Sequence, residues 1–205
     1  MHELELRVAW QQYVAPDEVW FEAVLAHHRE PHRRYHTVRH VRWVVRHVLD
    51  LAAAAPVADL GAVVAAAFFH DAVYDPTRAD NETRSAGLAE RALAELGWPA
   101  PRVAAVTAMV AATAGHTAHA ADVDTAVLLA ADLAVLAADP ASYAEYATGV
   151  RTEYAHVPDA EWRVGRAAVL RGFTERTAIY PPVLGLDSWE RQARANLAAE
   201  LATLE

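Results

Sequence analysis

The sequence has no cysteine and no lysine, so its 18 basic side chains other than histidine are all arginines. Without cysteine, disulfides, thiolate metal sites and thiol catalysis are excluded, and the 11 histidines are left as nitrogen ligands. Isoleucine is also scarce, since Ile179 is the only one, whereas alanine is abundant. This balance favours helices over strands along almost the whole chain. We therefore expect an all-α protein.

Positive charge is scarce as well. The 18 arginines are outnumbered by 27 acidic residues, which gives a formal net charge of −9. A chain this acidic is not expected to have a general nucleic-acid surface. One arginine cluster lies between Arg33 and Arg46. Arg39 and Arg42 could flank a phosphate there if a cleft opened beside them, although such a cluster is more typical of a solvated helix face.

Long hydrophobic runs are absent too. The most apolar segment, Leu60 to Phe69, has about ten residues, whereas a helix that spans a bilayer needs roughly 20. Glu3 and Glu5 also differ from the basic start and uninterrupted apolar run of a signal peptide. These features predict a cytoplasmic protein with no membrane partner, in which Leu60 to Phe69 form a buried helix.

The length of 205 residues fits a single domain, residues 1–205. Proline and glycine divide the chain into segments, and several prolines and acids stand where helices begin, because the first turn has free N–H groups and favours negative charge. We predict a compact helical bundle of about nine or ten helices, near residues 3–14, 16–29, 36–54, 58–73, 80–96, 99–114, 122–138, 140–156, 159–177 and 187–203.

Several polar residues stand within this apolar helical pattern. His36 and His40 have i, i+4 spacing, which places both imidazoles on one face of a helix. His70 and Asp71 end the apolar segment, and Asp132 is a single carboxylate in another apolar helix. Each alone is more typical of a hydrogen-bonded core residue. Together, His40, His70, Asp71 and Asp132 would give a divalent ion two nitrogens and two carboxylates, with positions open for water and substrate.

The order of these residues resembles the HD superfamily of metal-dependent phosphohydrolases, in which a His precedes a His-Asp pair and a distant Asp. The segment from Tyr35 to His40 is similar to a helix of cyclic-nucleotide phosphodiesterases, which implies His40 as a ligand and His36 as a proton donor. Over roughly residues 30–180 the chain resembles a family of bacterial predicted HD phosphohydrolases. The matching segments are FFHDAVYD at 68–75, Asp80-Asn81-Glu82 with Ser85-Ala86, ADLAVL at 131–136 and Val150 to His156.

The resemblance implies a single HD-type metal-dependent hydrolase domain that hydrolyses a small phosphate ester, a nucleotide among the candidates, with metal-activated water. Asp71 would bind the metal and orient this water, and His36 would protonate the leaving group. Glu82 is similar to a family position close to the site, which makes it a third candidate catalytic residue. A favourable charge in the first turn of a helix explains Glu82 equally well. The ligand set does not select among Mn, Fe, Co, Ni, Zn and Mg.

His116 is a further candidate site residue. It lies between the His-Asp pair and Asp132, where binuclear HD proteins place further ligands, and the resemblance favours it over His119. We expect one metal, with His116 at the cavity mouth as a substrate or water contact, but a second-metal ligand and an exposed loop residue are alternatives. Most residues of the segment from Val150 to His156 are expected to have packing roles.

Two other functions stay open at this point. One is an HD-type di-iron oxygenase, for which His116 would have to be a ligand. The other is a non-catalytic module that binds a metal or a nucleotide. The sequence does not indicate an oligomeric state.

Overall fold

The structure is a computed structural model that describes residues 2–204, with the side chain of His2 excepted. Over this range it contains ten α-helices, two 3₁₀ helices and no strand, which confirms the predicted all-α class. The α-helices are α1 His2–Tyr13, α2 Glu18–His28, α3 Val38–Ala52, α4 Leu60–Phe69, α5 Asn81–Glu95, α6 Ala100–Ala112, α7 Val123–Asp132, α8 Pro140–Glu153, α9 Asp159–Thr174 and α10 Asp187–Leu204. The 3₁₀ helices are Leu133–Ala137 and Pro182–Leu184.

Side-chain caps determine where several helices begin. Asp17 and Asp59 each precede a helix and accept a hydrogen bond from a backbone N–H of its first turn. Thr37 does the same for α3. The helix predicted over 36–54 therefore begins two residues later, and His36 lies in the turn that leads into it. The prediction that His36 and His40 share one helix was wrong.

Two predicted helices end earlier at positions that matter for the site. The helix predicted over 58–73 ends at Phe69, so that the His-Asp pair follows it rather than belonging to it. The helix predicted over 122–138 is α-helical only as far as Asp132 and continues as the 3₁₀ helix Leu133–Ala137. The polar residues that the pattern placed inside these helices thus stand at helix ends.

Helix α4 forms the centre of the larger hydrophobic core. All of its residues from Ala62 to Phe69 are buried, which confirms the prediction of a buried helix. It packs against α1, α3, α5, α6 and α7. The ring of Phe68 meets that of Trp10 edge-on, with centroids 5.2 Å apart.

A second core surrounds the 3₁₀ helix Leu133–Ala137. Residues of α8, α9 and α10 pack there, including Tyr143, Leu170 and Leu197. Helix α7 contributes residues to both cores, so its C-terminal end lies where they meet.

Within residues 2–204 no single helix is both long and apolar enough to cross a bilayer. One pair, Val123–Ala137 and Pro140–Glu153, passes the same test of length and composition when taken together, but it is bent by 104°.

Candidate metal centre

Three helices bring the four predicted metal ligands together. His40 stands in the first turn of α3, on the face that also buries Val41 and Val44. His70 caps the C-terminal end of α4, with Asp71 next to it, and Asp132 ends α7. One ligand atom from each of these four residues lies within 4.8 Å of those of the other three.

The distances within this group fit a single metal ion. The Nε2 atoms of His40 and His70 are 3.0 Å apart. Both lie 3.2–3.4 Å from Oδ2 of Asp71 and 3.4–3.5 Å from Oδ1 of Asp132. Octahedral bonds of about 2.1 Å place neighbouring ligand atoms about 3.0 Å apart and opposite ones about 4.2 Å apart. Two imidazoles and two carboxylates in this arrangement could hold a divalent ion.

The charges of the group also suit a cation. Burial acts to raise the pKa of Asp71 and Asp132, but the positive charge of His70 and the hydrogen bonds from the neighbouring imidazoles together outweigh it and hold the pKa of both carboxyls well below the usual value. Burial acts to lower the pKa of His40 and His70, and the two carboxylates raise it above the usual value. The carboxylates that favour protons on the imidazoles would equally favour a divalent ion, which binds the neutral rings.

A backbone contact fixes the orientation of His70. Its Nδ1 lies 2.9 Å from the carbonyl oxygen of Ala67. Since a carbonyl only accepts hydrogen bonds, Nδ1 carries a proton, and the neutral ring that a metal would bind has its lone pair on Nε2, towards the centre. The ring of His40 is held by packing instead, against Tyr35 and His70, with centroids 4.8 Å and 5.1 Å away.

His36 lies beside the metal ligands but outside their group. Its Nε2 is 3.9 Å from Oδ2 of Asp71, and its ring centroid is 5.6 Å from that of His40. Its Nδ1 is 2.7 Å from Oε2 of Glu153 on α8. The expectation that His36 lines the site without joining the four ligands agrees with this placement, although Glu153 positions it rather than a helix turn.

Glu153 is the residue that sequence reasoning missed. Its side chain is fully buried, which acts to raise its pKa, but the contacts with His36 together with the backbone N–H groups of Arg34 and Tyr35 outweigh burial and lower the pKa to about 2. The packing role expected for most of the segment from Val150 to His156 does not describe it. Arg151 does turn away, towards the backbone of Tyr154 and Val157.

Arg33 was also misjudged, as part of a solvated cluster. Its side chain is buried, and its guanidinium donates to the carbonyl oxygens of His36 at 3.0 Å, Asp71 at 2.7 Å and Ala72 at 3.0 Å. It thereby joins the turn before α3 to the segment after α4. The carbonyl oxygens of Asp71 and Ala72 accept hydrogen bonds from Arg33 instead of from N–H groups of a longer helix, which agrees with the end of α4 at Phe69.

Two other arginines of that cluster form ion pairs with glutamates. Arg39 pairs with Glu145 on the exposed surface, and Arg42 pairs with Glu5 of α1. Both guanidiniums are thus engaged by carboxylates, so the alternative of a solvated helix face describes them better than a phosphate site does.

His116 contacts the centre through a carboxylate. Its Nε2 lies 2.9 Å from Oδ2 of Asp132, whose other oxygen faces His40 and His70. His116 has a positive φ of 47°, a conformation that costs energy in residues other than glycine. Arg176 holds this turn by donating to the carbonyl oxygen of His116 at 3.0 Å. His119 is exposed in the same loop.

An open cavity of about 530 Å³ lies over the centre. Its lining includes all three candidate catalytic residues, His36, Asp71 and Glu82, together with His116. Glu82 also stands in the first turn of α5, so both interpretations of this residue are compatible with its position. Further lining residues are Tyr35, Tyr74, Arg78, Tyr146, Tyr154, Arg166 and Phe173. The cavity gives a bound molecule access to Asp71 and Asp132, the two of the four candidate ligands that line it.

Comparison with known proteins yields no relative for this chain. No protein-family model matches it, and no match was found among the curated proteins or the solved structures.

Proposed function

We propose that this protein is an HD-type metal-dependent phosphohydrolase that acts on a small phosphate ester. The observation that carries the proposal is the convergence of His40, His70, Asp71 and Asp132 beneath an open cavity. The ordered HD-like motifs of the sequence supply the reaction type. The fold alone does not select a reaction.

The four converging residues would hold the metal. A divalent ion there supplies a Lewis acid for a phosphoryl oxygen and makes a nearby water more acidic. The Asp71 carboxylate faces the cavity and would orient the attacking water by accepting a hydrogen bond from it. His36 would donate a proton from Nε2 to the leaving alkoxide, since an imidazole is an effective acid near neutral pH.

The remaining lining suits an anion with an organic substituent. Arg78 and Arg166 add positive charge to the cavity, although each pairs with a carboxylate, Asp80 and Glu200 respectively. Apolar and aromatic side chains form much of the rest of the wall. A volume of about 530 Å³ is within the range of cavities that take small molecules. A small phosphorylated substrate is therefore the partner that we propose.

Metal analysis followed by a phosphatase assay tests this function. Protein purified without a His tag is stripped with EDTA, loaded in turn with Mn, Fe, Co, Ni, Zn or Mg, and assayed on phosphomonoesters, phosphodiesters and nucleotides. We expect turnover with at least one ion and its loss in Asp71→Asn. The exposed residue Asp139 provides a matched control, since Asp139→Asn should retain the activity. Absence of turnover on every substrate with a stoichiometrically bound metal would contradict the proposal.

One observation favours a second candidate, a di-iron oxygenase. Oδ1 of Asp132 faces the imidazoles of His40 and His70, and Oδ2 faces that of His116. A carboxylate that bridged two metals would have histidine ligands on both sides in the same way. We favour one metal because only four residues converge within the described chain. The parent should then bind one equivalent, and His116→Ala should keep it while turnover falls. Two equivalents in the parent and one in the variant would favour the oxygenase.

A further inference from the structure

Glu153 is a buried charged residue that the proposed reaction does not yet use. Its two carboxylate oxygens have different partners. Oε1 accepts hydrogen bonds from three consecutive backbone N–H groups, those of Arg34 at 2.6 Å, Tyr35 at 2.8 Å and His36 at 3.0 Å. Oε2 lies 2.7 Å from Nδ1 of His36 and accepts a hydrogen bond from the Tyr74 hydroxyl at 3.0 Å. One carboxylate thus holds both the backbone and the ring of His36.

The contact with Oε2 determines where the ring carries its proton. An ionised carboxylate has no proton to donate, so Nδ1 of His36 must be the donor. Neutral His36 is then the Nδ1–H tautomer, with its lone pair on Nε2. That nitrogen is the one near the metal ligands, 3.9 Å from Oδ2 of Asp71.

Two aromatic rings restrict the ring of His36 further. Tyr74 lies against it with centroids 4.1 Å apart, and Tyr35 meets it edge-on at 4.9 Å. The Tyr74 hydroxyl is bonded to the same carboxylate as His36. Rotation of the imidazole would break the bond to Glu153 and disturb this packing, so a single orientation is favoured.

We propose that Glu153 is the positioning residue of His36, which fixes its tautomer and directs Nε2 to the reacting phosphate ester. The consequence for turnover rests on the proposed function, whereas the tautomer does not. When the imidazolium form of the ring, protonated on both nitrogens, gives its Nε2 proton to the leaving oxygen, the Nδ1 proton stays in the hydrogen bond to Glu153. The product of the transfer is therefore the tautomer that the protein already favours.

The variant Glu153→Gln separates this role from a purely structural one. The amide oxygen can still accept from the three backbone N–H groups, which keeps the turn before α3 in place. The amide NH₂ then faces Nδ1 of His36, where it can only donate. Nδ1 must accept, and the proton of the neutral ring moves to Nε2. If Glu153 served only to hold the backbone, the tautomer of His36 would be the same in Glu153→Gln as in the parent.

Nitrogen NMR of the ring reports the tautomer directly. The full chain, labelled with ¹⁵N-histidine, is recorded with added Zn²⁺ about two pH units above the ordinary histidine pKa of about 6.5. The His36 signals are assigned by their loss in His36→Gln. We expect the Nδ1–H tautomer in the parent and the Nε2–H tautomer in Glu153→Gln. The control Glu145→Gln, on the exposed side of the same helix, should match the parent.

Kinetics of the same variants measure how much the orientation of the His36 ring contributes to turnover. In Glu153→Gln we expect kcat to fall by about 10²–10⁴, the range that a general acid supplies, with KM and metal content near those of the parent. An Nε2–H tautomer in the parent overturns the proposal without any variant, and an unchanged tautomer in a folded Glu153→Gln overturns it as well. The expected tautomers in a protein without phosphatase activity would support the positioning role and refute the proposed function.

Discussion

Removal of the Asp132 charge should abolish the stabilisation of the protein by metal. A ligand that binds only the folded state stabilises it by about 2.7 kcal/mol when present at 100 times its dissociation constant. A chain of 205 residues has an unfolding entropy of about 0.43 kcal/mol/K near 60 °C. The metal should therefore raise the Tm of the parent by about 6 °C. In Asp132→Asn the rise should be near zero, because a neutral amide replaces one of two charged ligands.

Thermal unfolding of EDTA-treated, untagged protein, followed by circular dichroism during metal titration, measures this shift. His119→Ala is the matched control, since it removes an imidazole from the exposed loop and should leave the shift unchanged. A shift of the same size in Asp132→Asn would refute our reasoning, because the ion would then be bound elsewhere on the molecule.

Three further results are expected. His36→Ala should lower turnover by about 10²–10⁴ while metal content, measured by plasma mass spectrometry, stays that of the parent; loss of metal would show that His36 is a ligand. His28 is buried with its pKa lowered to about 3, so it stays neutral in the folded protein while the unfolded chain gains a proton below pH 6.5. Denaturant unfolding should show about 2 kcal/mol less stability at pH 5 than at pH 7 from this residue, and His28→Gln should lose that part of the pH dependence; an identical dependence in both would contradict it. Gly61→Ala should destabilise the protein by about 1–3 kcal/mol, since a Cβ would lie 2.9 Å from the carbonyl oxygen of Tyr13; an unchanged Tm would show that the two helices separate freely.

The helices and the four converging residues of the candidate metal centre could be predicted because their signals are local. Alanine content and helix-starting residues indicate the all-α class, and His40, His70, Asp71 and Asp132 are unusual in apolar surroundings. The predicted 58–73 helix was too long because a periodic pattern does not show where a side chain distant in sequence bonds to the backbone carbonyl groups in place of a further helical turn. Arg33 does so for the segment after α4, about 38 residues away.

The orientation of His36 could not be predicted for the same reason. Glu153 lies 117 residues further along the chain, and nothing in its local pattern shows that it is buried against a turn. One signal was present, because Glu153 belongs to the segment from Val150 to His156, which resembles the HD phosphohydrolase family and for most of which only packing was expected. Buried carboxylates need several donors, and Arg34, Tyr35 and His36 supply them only after folding.

Anomalous diffraction from crystals of the untagged protein grown with Mn²⁺ tests the central claim most directly. Our account predicts one strong peak about 2.0–2.4 Å from Nε2 of His40 and His70 and from carboxylate oxygens of Asp71 and Asp132. Absence of a peak at these four residues in Mn²⁺-containing crystals, or a dominant peak at the exposed histidines, would contradict it.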